Sequence, residues 1–488
     1  LGLGDSGLAM VRWCVLQGAQ VTVVDSRENP PGKAALLAEG LPVDIRAQAF
    51  TADLVDLTDV RAVFKSPGLT PHEVEPVWQA AQARGLWVGT ELSLFAHALA
   101  QLDTEEAPYK PKVLAITGTN GKTTVTSLTG MLLKRAGLHV AVAGNIGPTL
   151  LDTLREQRDH LPEVWVLELS SFQLDGVNDF APTAACILNL TQDHLDWHGD
   201  MAAYGQAKSN IWNHTGVMGV LPRQDEQVMA LWLKDSTDKK ATPRPRISFG
   251  ANLPEHAGDF GLSIDNGMTW LVRAAPSEDM PGKRGKALEE PLLIQRLMPA
   301  DALRIRGRHN ALNALAALAL ASACTPSLAP LLHGLREYAG EPHRLSSVAI
   351  VADVEYFDDS KGTNVGATVA ALTSLGADRR LVVILGGDGK GQDFSPLIDP
   401  ISQSVRAVVL IGRDAPLLAD VLQATGVVMC HAHDMAQAVA LAAEQAHTGD
   451  AVLLSPACAS LDMYANYVAR AEAFTHAVHG LQLMEGTA

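Results

Sequence analysis

The stretch 113–124, Val-Leu-Ala-Ile-Thr-Gly-Thr-Asn-Gly-Lys-Thr-Thr, limits what this chain can fold into more than any other. Its apolar start, 113–116, reads as a buried strand. Gly118 and Gly121 follow, then Lys122 and Thr123, then a helical pattern to about Arg135. Strand, glycine-rich loop and helix in that order make a phosphate cradle. The glycines let backbone N–H groups turn toward an anion, and the helix start adds partial positive charge. Lys122 is placed to reach β- and γ-phosphates, and the Thr123 hydroxyl to hold Mg²⁺. The loop is tighter than the common form, because Ile116 stands where the first glycine usually falls. The bland alternative is a βα turn with an accidental Lys-Thr; the register of strand, glycines and helix argues against it.

The rest of the chain repeats this logic. At 488 residues it is long enough for two to four domains. Ala, Leu, Val and Gly dominate, as in α/β proteins with buried parallel strands. With 38 basic and 54 acidic side chains the net charge is −16, which argues against non-specific nucleic-acid binding. Anionic ligands must then be met by local loops and metal ions. Five scattered cysteines with no C-x-x-C spacing suggest neither a disulfide framework nor a zinc cage, and point to a reducing cytosol. No apolar run is long enough to span a membrane, and no signal peptide is visible.

Residues 2–7, Gly-Leu-Gly-Asp-Ser-Gly, match G-x-G-x-x-G, with a helical pattern after them and a strand at 21–24 ending in Asp25. That is a βαβ dinucleotide fingerprint with an acid at the second strand tip. A uridine diphosphate would use the same physics as a nicotinamide cofactor. The chain starts directly inside this motif, which implies a short strand ahead of Leu1. Further strands are expected at 62–64 and 86–88, and a polar, proline-bearing linker at 103–112. In the middle of the chain, strands are expected at 140–143, 164–167 and 184–190. Lys122, Asn145, Glu168 and His194 all fall just past such strand ends, where open α/β sheets gather ligands. His194 and His198 are spaced i, i+4, but Leu195 stands where a zinc protease has its glutamate. Lys208 falls on a short helix at 203–212, where a snorkelling surface lysine is the plain reading. From about 223 to 300 the pattern loosens, with frequent charges and prolines as at 280–287, and irregular strands with one mobile loop are expected there. A long alanine-rich helix is expected at 311–324, and a junction at 339–345. Beyond it a strand at 348–354 and others at 381–385, 407–411 and 451–454 each end in loops rich in Gly, Ser, Lys or Asp. Lys390 and Ser460 in these loops suit an anion pocket.

Taken together, Gly118-Thr-Asn-Gly-Lys-Thr123, Gly144-Asn-Ile-Gly147, Glu168-Leu-Ser-Ser-Phe-Gln173, Asn189-Leu-Thr-Gln-Asp-His194, His309-Asn-Ala-Leu-Asn313, Glu341-Pro-His-Arg344 and Asp359-Ser-Lys-Gly-Thr-Asn364 resemble the ATP-dependent Mur ligases over nearly the whole chain. The opening Gly-Leu-Gly and the run Ser455-Pro-Ala-Cys-Ala-Ser-Leu-Asp462 are similar to the branch that adds D-glutamate to UDP-N-acetylmuramoyl-L-alanine. The resemblance implies an α/β protein of three domains. These are a Rossmann-like domain binding uridine diphosphate at 1–104, a P-loop-type ATPase domain with a mostly parallel sheet at 105–340, and a Rossmann-like amino-acid-binding domain at 341–488.

It also implies roles. The catalytic set would be Lys122, Glu168, His194, Lys208 and Lys361. ATP would meet Gly118, Thr119, Asn120, Gly121, Lys122, Thr123 and Thr124, together with Asn313, Arg344 and Asp359. Two Mg²⁺ ions would be held by Thr123, Glu168, His194 and Lys208, with Lys208 carbamylated by CO₂. The UDP-sugar would meet Asp5, Ser6, Asp25, Ser26, Arg27, Gly68 and His194, with Asn145 at its sugar part. Thr363, Lys390, Ser460, Leu461 and Tyr467 would form the D-glutamate pocket. Gly362 and Tyr467 depart from the family, which often has alanine and phenylalanine there. The expected protein is a cytoplasmic monomer that closes its domains around its substrates and binds no nucleic acid. Three rivals remain at this point: a nicotinamide-dependent dehydrogenase, a non-catalytic nucleotide sensor, and the folate polyglutamylating relative.

Overall fold

The computed structural model describes residues 1–56, 59–234, 244–276, 292–377 and 379–485. The chain forms two compact units. The first holds Leu1–Asn189, Ala202–Ala300 and Asn313–Arg336; the second holds Leu190–Met201, Asp301–Leu312 and Glu337–Ala488.

At the start of the first unit, Val21–Asp25 pairs in parallel with Val43–Ala47, and Ala62–Phe64 with Trp87–Gly89. Residues 1–3 lie between the two pairs. Gly2 N donates to Val24 O at 2.8 Å, and Ser66 N to Leu1 O at 2.8 Å. This short extended piece therefore supplies the centre of the expected fingerprint, and the helix Asp5–Leu16 leaves directly from it.

The main sheet of this unit has nine strands. Lys112–Thr117 is flanked in parallel by Val164–Glu168 and Ala184–Ile187, and Val140–Gly144 pairs beyond Val164–Glu168. On the other side come Met218–Pro222, Arg246–Phe249 and Phe260–Asp265, also parallel. The sheet then ends in two antiparallel strands, Met268–Pro276 and Leu292–Pro299. The described part of 223–300 is thus regular, not irregular as its loose pattern suggested. Its two last strands mix exposed, half-buried and buried positions without strict alternation, which is why the sequence read as loose. The charge- and proline-rich stretch 280–287 lies outside the described residues.

The second unit has a six-stranded sheet in the order Ser346–Val351, Val354–Asp358, Ala451–Leu454, Leu381–Gly386, Val405–Ile411, Val428–His431. All neighbours are parallel except the first pair. Val383 and Leu385 join one apolar cluster, Val382 and Ile384 another, so both faces of the sheet are buried. That double burial is why these strands read as continuous apolar runs.

Three boundaries differ from the sequence expectation. The strand expected at 184–190 stops at Ile187, because Leu188 and Asn189 leave the ladder to pack on the phosphate loop. The alanine-rich helix runs Arg308–Ala321 rather than 311–324. The single strand expected at 348–354 is a hairpin whose turn residues, Ala352 and Asp353, both have positive φ (49° and 59°). No helix among the described residues is long and apolar enough to cross a membrane.

Candidate active site

The phosphate loop leaves the central strand Lys112–Thr117 and enters the helix Lys122–Arg135. Gly118 and Gly121 have φ of 144° and 84°, in the region other residues rarely adopt. A Cβ on Gly121 would stand 2.7 Å from Asn313 Oδ1, so Asn313 lies against the loop. Lys122 Nζ donates to Gly118 O (2.9 Å) and Thr119 O (2.8 Å), curled over the loop it springs from. Thr123 and Thr124 are buried in the first helical turn.

One residue with no predicted role holds the loop in shape. Asn189 Oδ1 accepts from Asn120 N at 2.8 Å, its Nδ2 donates to Asn120 O at 3.0 Å, and its own carbonyl accepts from Thr119 N at 3.0 Å. Three bonds from one residue fix the backbone of the loop. Asn189→Ala is expected to raise the KM for ATP about tenfold, the cost of one or two lost hydrogen bonds. Titration of ATP by steady-state kinetics, beside unchanged uridine-nucleotide binding, checks it.

Glu168 ends the strand Val164–Glu168 and is 1% exposed. Its Oε1 accepts from Asn145 Nδ2 at 3.1 Å, while Oε2 is buried with no hydrogen-bond partner among the described residues. A buried carboxylate oxygen left unsatisfied is costly unless a cation or ligand completes it. Together with the Thr123 hydroxyl in the same unit, this donor set fits Mg²⁺. Lys208 is not a surface lysine: it is 1% exposed, and its Nζ donates to Gly118 O (2.9 Å) and Thr117 Oγ1 (3.2 Å) beneath the loop. The Tyr204 ring lies 4.7 Å from that ammonium, and the Tyr204 hydroxyl is 3.1 Å from Thr119 Oγ1.

The same unit carries a cavity of about 490 Å³. Asp5, Ser6, Ser26, Arg27, Gly68 and Asn145 all line it. Asp25 does not line it directly. It is buried, with Oδ2 accepting from Leu3 N (2.8 Å) and Oδ1 from Arg27 N (2.9 Å), and it grips the Arg27 guanidinium through both oxygens. These bonds, led by that of the Arg27 side chain, hold its carboxyl down to about 2. Asp25 thus shapes the cavity by placing Arg27, which does line it.

Glu91, to which the sequence also gave no role, starts the helix Glu91–Leu102 and accepts from Leu151 N at 3.0 Å. Burial pushes its carboxyl up from 4.5 to about 7. Its folded pKa lies above its unfolded one, so it favours the fold below pH 4.5, and that contribution is lost as pH rises through 7. Glu91→Gln is therefore expected to flatten the fall in melting temperature across this window, read by thermal melts at closely spaced pH.

The remaining candidates lie in the second unit. His194, at φ 55°, takes Asp193 Oδ1 on its backbone N–H at 3.0 Å. Buried Asp193 also accepts from Asn364 Nδ2 (3.2 Å) and stands 3.4 Å from Lys390 Nζ. Asp359 is buried beside the Ser455 hydroxyl (2.7 Å), and burial pushes its carboxyl up to about 7. Lys361 Nζ is 5.3 Å from the centre of the Tyr467 ring. Thr363 N donates to Lys361 O at 3.0 Å. Arg344 precedes Leu345 and the hairpin, and contributes to the fields at Asp359 and His309. Ser460 is buried and Leu461 exposed in the loop after Ala451–Leu454. Arg470, unforeseen and fully buried, pins two of these loops by donating to Ser360 O (2.8 Å) and Cys458 O (3.1 Å).

Comparison with known proteins gives three domain matches. The Mur ligase middle domain matches residues 116–261, the Mur ligase glutamate ligase domain 343–458, and the Mur ligase MurD-like N-terminal domain 1–89. The UDP-N-acetylmuramoylalanine–D-glutamate ligase of Albidiferax ferrireducens is 59% identical, over 100% of this chain and 97% of that protein. The protein of the same name from Burkholderia cenocepacia is 54% identical, over 100% and 97%. Among solved structures, UDP-N-acetylmuramate-alanine ligase MurC of Thermotoga maritima matches with a TM-score of 0.55 at 20% identity, over 98% of this chain and 97% of that one. MurF of Acinetobacter baumannii matches at 0.57 and 20%, over 90% of each chain. At these identities the two structures share the fold.

Proposed function

Because the chain belongs to the Mur ligase family, we propose that it joins D-glutamate to UDP-N-acetylmuramoyl-L-alanine at the expense of ATP, in the assembly of peptidoglycan precursors. One observation carries the choice within the family: relatives bearing that name are 52–59% identical from end to end. The domains we assign are 1–104 for the UDP-sugar, 105–340 for ATP and 341–488 for the amino acid.

The chemistry needs a carboxylate to become an acyl donor. Transfer of the γ-phosphoryl group of ATP to the L-alanyl carboxylate forms an acyl phosphate and releases ADP. The amine of D-glutamate then attacks the carbonyl carbon, loses a proton, and expels phosphate through a tetrahedral intermediate. Such phosphoryl transfer is mostly positioning and neutralisation of charge. In this reading the Gly118–Thr124 backbone cradles the phosphates, held in shape by Asn189, and Lys122 uncurls onto the γ-phosphate. Thr123 and Glu168 hold Mg²⁺, with His194 and Lys208 serving the second ion; Mg²⁺ when bound would offset charge on the phosphates. Asn313, Arg344 and Asp359 contact ATP. Asp5, Ser6, Ser26, Arg27 and Gly68 line the UDP end of the cavity, where Asp25 acts through Arg27, and Asn145 with His194 serves the sugar. Thr363, Lys390, Ser460, Leu461 and Tyr467 take D-glutamate, and Lys361 stands beside them. We place the enzyme in the cytoplasm, as a monomer, where its nucleotide substrates are.

Burial of Lys208 under the loop supports carbamylation, which would replace a cation by an anion able to support a metal. Lys208→Ala is expected to lose activity and to recover part of it with short-chain carboxylic acids. An active preparation whose Lys208 takes up no labelled CO₂ would refute the carbamate. The function as a whole is tested by phosphate release with ATP, UDP-N-acetylmuramoyl-L-alanine and each of several amino acids in turn. Release with D-glutamate is the expected result; release only with another amino acid, or with folate, would reassign the substrate.

A further inference from the structure

Lys390 sits in the loop after Leu381–Gly386 with φ 51°, a left-handed conformation that a lysine holds only when neighbours impose it. Two carboxylates do so. Asp388 Oδ1 accepts from Lys390 N at 3.0 Å, and Asp414 Oδ2 accepts from Gly389 N at 2.7 Å.

Asp414 is placed for a different task. It is the residue preceding the helix Ala415–Leu422, where an aspartate normally accepts from its own helix's first N–H groups. Here it makes no such cap bond, and its side chain goes to the Lys390 loop instead. The neighbouring Arg413 binds in two directions. Its guanidinium pairs with Asp388, and its backbone N–H donates to Asp462 Oδ2 at 2.9 Å. The loop containing Asp462 is itself stitched to the first: Asp388 N donates to Ala459 O (2.9 Å) and Ala459 N to Asp388 O (2.8 Å), one residue before Ser460. Three loops, at 386–391, 412–414 and 455–462, are thereby locked together around Lys390 and Ser460.

We propose that Asp414 and Arg413 are positioning residues for amino-acid recognition, holding the Lys390 and Ser460 loops at a fixed separation without touching the substrate. The inference rests on the reading that Lys390 and Ser460 belong to the D-glutamate pocket. A forgone helix cap is the mark of it: the charge-assisted bond is spent on the pocket rather than on the local helix.

Steady-state kinetics with all three substrates, on Asp414→Ala, Asp414→Asn, Arg413→Ala and Lys390→Ala, tests this. Asp414→Ala is expected to raise the KM for D-glutamate about tenfold, leaving those for ATP and the nucleotide-sugar within about twofold. Asp414→Asn keeps an acceptor for the Gly389 N–H and is expected to restore the KM to within about threefold of the parent. A purely structural role would move all three KM values and would not show that rescue. Arg413 is 61% exposed on its side chain, so Arg413→Ala is expected to melt as the parent does while raising the same KM about threefold. Should Asp414→Ala not fold, Arg413→Ala decides. An unchanged KM for D-glutamate in the folded variants, beside a raised one in Lys390→Ala, overturns the positioning role alone. An unchanged KM in Lys390→Ala removes the pocket assignment and the inference with it.

Discussion

Lys122→Ala is expected to cut ATP-dependent phosphate release by about three orders of magnitude, the scale of losing a preorganised charge at a transition state. The loop should survive the change. Its shape is set by Asn189 and by the glycines, and Lys122 Nζ rests on carbonyls of the loop itself. Uridine-nucleotide binding should also survive, because the cavity lined by Ser6, Arg27 and Gly68 does not include Lys122. Calorimetric titration with a uridine nucleotide alongside the rate assay separates the two. Comparable turnover in the variant would withdraw the phosphate-loop assignment.

Glu168→Gln is expected to move rate and stability in opposite directions. Turnover should fall by about a thousandfold, because the carboxylate proposed to hold Mg²⁺ becomes neutral. Metal-free stability should rise by about 1 kcal/mol, because one oxygen of this buried carboxylate has no partner and its charge is held away from water. Urea melts with and without Mg²⁺ read both effects. The parent should gain stability from the ion and the variant should not. A variant that is less stable without metal would mean that Glu168 serves the fold rather than the ion.

Where sequence reasoning worked, the signal was local. The strand Lys112–Thr117, the two glycines and the helix Lys122–Arg135 are contiguous, and their periodicities do not depend on anything distant. The buried strands of the second unit were legible for the same reason. Two of the surprises come from contacts that span the chain. Asn189 looks like the tail of an apolar run until Asn120, 69 positions earlier, takes both ends of its amide. Lys208 looks like a surface lysine because the Gly118 carbonyl that receives it is 90 positions away. The hairpin at 346–358 hid because Ala352 and Asp353 adopt positive φ without a glycine to announce the turn. For Asn189 and Lys208 the residue type was noticeable, and what it did was set by a distant partner that spacing alone cannot name.

The three bonds from Asn189 also bear on portability. A designer who grafts Gly118-Thr-Asn-Gly-Lys-Thr123 between a foreign strand and helix would copy the receptor's letters without its mould, since the asparagine that casts it arrives on the adjacent strand's exit. Transplants of this motif should succeed only as a two-segment module, and the spacing between those segments is free to vary so long as both exits meet.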